Sequence, residues 1–286
     1  MYYYTNYEWS IKNKYCYTSL FPEYEFIFEY GPFENFSDAA QPQEVKPYVL
    51  KRYLSQYDWL IWMDVDSFFQ NFGDPIDRII TGNSDIIVQD HKWVFSFASS
   101  TFFVKNSPNG HRFLDIWIDM LENHCGNHKW AWGDQNAWLE AIMVLMNEVR
   151  KNSSSAPYKN HCRVLGQCNT NASCYEPILS NLGYPYGSRN DPPNNIITFW
   201  NRHQRLHGQI KRNNPYLAFG FSREWYTKDS TCTESDIICH CKYNRPYYKE
   251  LTKRFNLNSI CPGISEVDIE YIIRKKLLRD NYTFSG

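Results

Sequence analysis

Neither sign of charge prevails in this chain: 30 Lys and Arg stand against 31 Asp and Glu in 286 residues, a formal net charge of -1. The basic excess that a nucleic-acid binder carries is missing. Long apolar runs are missing too, none approaching the roughly 18 consecutive residues that cross a bilayer, so no membrane span is expected and the chain as given reads as soluble. The opening Met1-Tyr-Tyr-Tyr-Thr-Asn6 lacks a basic region followed by an apolar one, so no signal peptide or anchor is expected in it. Only 13 Gly and 14 Pro, with no internal repeat, exclude a collagen-like or low-complexity chain.

What is present is apolar and aromatic: 43% of residues are hydrophobic, with 10 Trp, 22 Tyr and 18 Phe. That load over this length is enough for a large α/β core without staples. Nine cysteines are nonetheless many, and six fall in two groups, Cys162, Cys168 and Cys174, then Cys232, Cys239 and Cys241. Neither group has the paired C-x-x-C knuckles of a structural zinc site, so disulfides are the leading reading, with an odd thiol over. Asn-x-Ser/Thr sequons at Asn35, Asn152, Asn171 and Asn281 are compatible with an oxidising lumen.

Periodicity sets the expected order of elements. Residues 24–30 alternate like a strand, residues 42–56 place Val45, Tyr48, Val49 and Tyr53 on one helical stripe, and 59–63 is a continuous apolar run typical of a doubly covered strand. Strands follow at 85–89 and 97–105, then a helix with Phe113, Ile116, Trp117, Met120 and Leu121 inward. Another helix runs from Asp134 with Trp138, Ala141, Ile142, Leu145 and Val149 inward. Residues 151–195 read as a Cys-rich insertion, 196–200 and 236–240 as the last strands, and 265–280 as a helix with its acids early and its bases late.

Asp64-x-Asp66 ends the apolar strand, where polar function in open α/β sheets collects. Two carboxylates two residues apart face one side if the strand persists, and could share a hard divalent cation with diphosphate oxygens. An Asp-x-Asp pair arises about once by chance in a chain this long, and the alternative is a pair that ends a strand and caps the turn before Ser67.

Three blocks in order carry a resemblance: Trp59-Leu-Ile-Trp-Met-Asp-Val-Asp-Ser-Phe-Phe69, then the stretch from Ser99-Ser-Thr-Phe-Phe-Val-Lys105 through Asn106-Ser-Pro-Asn-Gly110 to Trp117, then Gly133-Asp-Gln-Asn-Ala137. Together they resemble the galactosyl/mannosyl/xylosyltransferases of glycosyltransferase family 34. The tail Gly220-Phe-Ser-Arg-Glu-Trp225 with Asp236-Ile-Ile-Cys-His-Cys-Lys242 is similar to a related, uncharacterised nematode family.

The resemblance implies a single GT-A (Rossmann-like) domain over 1–286, holding the insertion at 151–195 and a helical extension at 243–286. It implies a retaining hexosyl- or pentosyltransferase that moves a sugar from a nucleotide diphosphate sugar, most simply a UDP-sugar, to a glycan hydroxyl. It further implies Mn²⁺ (or Mg²⁺) on Asp64, Asp66 and a late His, for which His240 lies in the corresponding strand and His207, in His207-Gly-Gln-Ile-Lys211, is the other candidate. Donor contacts would fall to Lys46, Asp64, Ser99, Ser100 and Lys242. Asp134 and Gln135 would position the sugar, against an alternative in which Asp134 only caps a helix. For Lys46 the alternative is a solvated helix face. Trp130 and Trp132 are expected on the acceptor. A Golgi or secretory-pathway lumen is implied if a leader lies upstream; otherwise the compartment stays open.

Three departures from the family pattern stand out. Its first strand would have to be Met1 to Thr5, a stub; Ala98 and Ser100 replace its Asn and Gly; and His240-Cys-Lys242 is tighter than its usual spacing. A nucleotide- or carbohydrate-binding protein without turnover, or a disulfide-tied structural domain, are the rival classes.

Overall fold

The computed structural model describes residues 2–29, 42–80, 84–90, 97–125, 133–151, 197–200, 222–224, 237–240 and 256–267. Along the chain run α1 (Tyr2–Leu20), α2 (Lys46–Leu54), β1 (Trp59–Met63), β2 (Ser67–Phe69), β3 (Ile86–Asp90), β4 (Phe97–Lys105), α3 (Pro108–Asp119), α4 (Gly133–Lys151), β5 (Ile197–Trp200), β6 (Ser222–Glu224) and β7 (Ile238–His240). A π-helical stretch, Met120–Cys125, follows α3, and a one-turn helix spans Leu257–Ile260. Contacts divide the chain into two compact units. Met1–Glu34, Met63–Ile79 and Phe221–Gly286 form the first, Asn35–Trp62 and Ile80–Gly220 the second.

The second unit is built on a mixed sheet in the order β1-β4-β3-β5. β3 is antiparallel to β4 and parallel to β5. Phe102, Phe103 and Val104 of β4 are fully buried, and each such side chain stabilises by about 1.5–3 kcal/mol. Phe102 packs on Trp117 of α3 and Trp138 of α4, with ring centroids 5.7 and 5.6 Å away. The helix faces are those the periodicity predicts, Phe113, Ile116 and Trp117 on α3 and Trp138, Ala141, Ile142 and Leu145 on α4 all being buried. Ser107 caps α3, its Oγ accepting from the Gly110 N–H at 3.1 Å, with Pro108 opening the helix. Gly110 is required by closeness: a Cβ there would collide with the Lys105 carbonyl at the end of β4.

The first unit joins α1 to a small sheet, β2-β7-β6, in which β7 is antiparallel to β2 and parallel to β6. One edge of β2 pairs with β7. At the other, α1 supplies side chains in place of a strand: Asn13 Nδ2 donates to the Phe69 carbonyl at 2.8 Å, and its Oδ1 accepts the Phe69 N–H at 2.7 Å. An amide thus mimics a neighbouring strand and satisfies groups that an open edge would strand. The Cys16–Cys261 disulfide, Cα atoms 5.9 Å apart, ties α1 to the Leu257–Ile260 helix, within a cluster that includes Leu257 and Ile264.

Several expectations need correction. Residues 24–29 form no strand. They alternate in sequence, but among the described residues no strand pairs with them. The segment expected as a stub of a first strand belongs to α1, a 19-residue helix. Its buried face, Ser10, Ile11, Asn13, Lys14, Cys16 and Tyr17, is half polar, so it leaves only a weak apolar period in the sequence. The expected helix at 265–280 is a 3-10 turn, Ile264–Glu266, over its first residues, and 268–280 lie outside the described residues. The described bridge, Cys16–Cys261, joins two cysteines outside both groups, although Cys239 is disulfide-bonded as well. β2 and β6, three residues each, carry no legible period. Among the described residues no helix is long and apolar enough to cross a membrane.

Candidate functional site

Two groups of polar residues stand out, one in each unit. β1 ends at Met63, so the condition under which the Asp-x-Asp pair would face one side as a strand is not met. A tight turn takes over, closed by the Ser67 N–H donating to the Asp64 carbonyl at 2.9 Å. Asp64 and Asp66 are half-buried on it. Turn and pair are therefore both present, and capping a turn does not exclude holding an ion.

Two remote segments meet this turn. In the β2–β7 ladder Ser67 is the register partner of His240, which brings the backbone of a residue 174 positions later beside Asp66. From α1, Lys14 Nζ donates to the Ser67 carbonyl, to the Val65 carbonyl at 3.3 Å and to Ser10 Oγ at 2.8 Å. Ser10 Oγ in turn donates to the Ser67 carbonyl at 2.8 Å. Burial pushes the Lys14 ammonium down to about 7, and the carboxylates of Asp66 and Asp64 oppose that shift.

Asp64 and Asp66, on one tight turn, are oxygen ligands of the kind that hard divalent cations take, and the backbone of His240 runs in register with Ser67 beside them. Among the described residues no group of three or more His, Cys, Asp or Glu side chains converges.

In the second unit the residues singled out by the second and third blocks, together with Lys46, form one buried network. Lys46 is no solvated helix residue: it is 5% exposed, with Nζ 3.1 Å from Asp134 Oδ2, 3.1 Å from the Ser99 carbonyl and 3.2 Å from Ser99 Oγ. Its ammonium also lies 5.9 Å from the Trp62 ring centroid. Ser99 Oγ donates to Asp134 Oδ2 at 3.3 Å, and the Ser99 N–H donates to Gln135 Oε1 at 2.9 Å.

The strand explains why these groups are available. The register between β3 and β4 slips from Val88↔Phe102 to Asp90↔Phe97, so extra residues of β4, Ser99 and Ser100 among them, bulge between the two pairs. A bulge leaves backbone groups off the ladder, and here side chains from α2 and α4 take those of Ser99. Asp134 sits in the first turn of α4, where the helix dipole favours a carboxylate. Ser100 is buried at 5% exposure.

Trp130, Trp132, His207 and Lys242 lie outside the described residues. Among the buried titratable groups that sequence reasoning missed are Lys14 and Glu140. Lys14 was signalled only by the polar stripe of α1. Glu140, 1% exposed with neither carboxylate oxygen hydrogen-bonded, was signalled by being a lone acid in the apolar run 137–145. Burial pushes its carboxyl up to about 8.

No family model matches the chain. No curated protein matches it either. Among solved structures it is similar to a glycosyltransferase involved in the glycosylation of the major capsid of PBCV-1, with a TM-score of 0.46 and 13% identity over 88% of this chain and 93% of that one.

Proposed function

We propose that the chain is a retaining, metal-dependent glycosyltransferase of GT-A type, moving a sugar from a nucleotide diphosphate sugar, most simply a UDP-sugar, to a glycan hydroxyl. One observation carries the reading: the register Ser67↔His240 draws into one locality the acidic turn and the His that the motif resemblance names as metal ligands. Asp64, Asp66 and His240 would hold Mn²⁺ or Mg²⁺, which would supply positive charge to the diphosphate leaving group. Lys242 adds a second positive charge to that leaving group. Lys46 fixes the carboxylate of Asp134 and the Ser99 backbone fixes the amide of Gln135, so that both groups meet sugar hydroxyls in a set orientation. Ser100 lies on the donor side, and Trp130 and Trp132 stack on the acceptor. The Cys16–Cys261 bridge supports passage through an oxidising lumen of the secretory pathway.

The test is a nucleotide-release and transfer assay over a panel of UDP- and GDP-sugars, with wild type and Asp66→Asn. Release in the wild type should need Mn²⁺ or Mg²⁺, and Asp66→Asn should lose at least a hundredfold while melting as the wild type does. Equal turnover in the two proteins would remove the metal assignment.

A nucleotide- or carbohydrate-binding protein without turnover is the second reading. It is favoured by α1, a helix where the resemblance requires a first strand. It predicts a nucleotide-dependent rise in melting temperature with no released nucleotide.

A further inference from the structure

We propose that Lys14 is a positioning residue for the Asp64–Asp66 pair, gripping the turn that carries both carboxylates; this rests on reading that pair as a metal site. Lys14 Nζ bonds the carbonyls of Val65 and Ser67, the residues on either side of Asp66. Ser10 Oγ holds the ammonium at 2.8 Å and donates to the same Ser67 carbonyl. The turn is closed by Ser67 N–H to the Asp64 carbonyl at 2.9 Å, and the strand leaving it pairs with β7 through Ser67↔His240. Ser67 is thus held from α1 on one edge and from β7 on the other.

A multidentate ion site binds tightly only if its ligands are already in place, since any freedom they retain must be lost on binding. Lys14 supplies that fixation with a side chain that is itself 5% exposed and bonded on three sides. An ammonium in the field of two carboxylates also repels an incoming divalent cation, and this effect has the opposite sign. The two can therefore be told apart by the direction in which affinity moves.

The experiment is Mn²⁺ binding to the full chain, read from the electron paramagnetic resonance signal of free Mn²⁺, for wild type, Lys14→Met and Asn13→Ala. Asn13 docks the same helix on Phe69, away from the turn, so it reports loss of docking without loss of the grip. Both variants should melt lower. Only Lys14→Met should weaken Mn²⁺ binding, by tenfold or more, with Asn13→Ala within twofold of wild type. Equal affinity in all three would overturn the proposal and leave Lys14 a docking residue. Tighter binding in Lys14→Met would also overturn it, charge repulsion then being the larger effect. A wild type that retains no Mn²⁺ would overturn the metal reading itself, and this proposal with it. If Lys14→Met does not fold, Ser10→Ala takes its place: a threefold or greater loss supports the grip, and unchanged affinity removes it.

Discussion

Lys14 and Lys46 are each 5% exposed, yet their surroundings treat the charge in opposite ways. Lys46, in the second unit, has a carboxylate at 3.1 Å and two oxygens of Ser99. Lys14, in the first, is bonded to three uncharged oxygens, and the nearby carboxylates act on it only through their field. A buried ammonium without a partner carboxylate can escape its desolvation cost by losing a proton, whereas one locked in an ion pair leaves its partner stranded if it is removed. Equal burial therefore implies unequal consequences.

The largest effect should come from Lys46→Met. Breaking a buried pair from one side costs about 3–5 kcal/mol, because Asp134 would keep an uncompensated charge. Asp134→Asn in the same chain should recover a large part of that loss, giving a strong coupling energy in a urea-unfolding cycle. A single-mutant cost below about 1 kcal/mol would put the pair in solvent and break the contrast with Lys14.

Next in size is the bridge that distinguishes the first unit. Cys16 and Cys261 are 245 residues apart in sequence, and replacing both with Ser should cost about 2–4 kcal/mol. Hydrogen exchange would sharpen the comparison of units. Protection should fall in α1 and the Leu257–Ile260 helix while Phe102 to Val104 of β4, packed within the second unit, hold theirs.

Among the described residues Lys14 of the first unit and Glu140 of the second are buried groups with shifted proton affinity, and the two pull stability in opposite directions with pH. Lys14 binds its proton less well folded, about 7 against 10.5, so the unfolded chain carries more protons between these values and stability rises with pH across that window. Glu140 binds its proton better folded, about 8 against 4.5. Its contribution is complete below pH 4.5 and is lost as pH climbs to about 8. Lys14→Met should flatten the alkaline rise and Glu140→Gln the fall from acid to neutral, each by a few kcal/mol over its window in denaturant titrations at stepped pH.

The contrast between the units also explains what could be read in advance. β1 and β4 appear at the bounds the sequence indicates, Trp59–Met63 and Phe97–Lys105, but β1 is not the doubly covered strand its apolar run suggests, since only Leu60 is buried and the rest are half-buried, and β4 is interrupted by Ser99, Ser100 and Thr101. α1 is less legible, because half of the face it buries, Ser10, Asn13 and Lys14, works through hydrogen bonds and adds nothing to the apolar period of Ile11, Cys16 and Tyr17. Lys46 is named in the sequence only through the resemblance, with a solvated helix face as the alternative; its pairing with Asp134, 88 residues downstream, is not legible there because only the fold unites them. The bulge that frees the Ser99 backbone is likewise a property of strand register, which sequence spacing does not express.

The smallest prediction tests whether the first unit is held by many modest polar contacts. Tyr17 stacks on Phe69 with ring centroids 3.6 Å apart and planes within 6°, while its hydroxyl donates to the Asp74 carbonyl at 2.7 Å. Burial, with Tyr24 and Asp77 nearby, pushes that hydroxyl's proton affinity up, so it stays a donor over the whole practical pH range. Tyr17→Phe keeps the stacked ring and removes only the donor. It should cost about 1 kcal/mol, the ordinary net worth of one such bond, visible as a shift in urea midpoint at unchanged slope. A loss nearer that of Lys46→Met would mean that Tyr17 anchors the unit through a polar contact as demanding as an ion pair, and the contrast between the two buried lysines would no longer describe how the units differ.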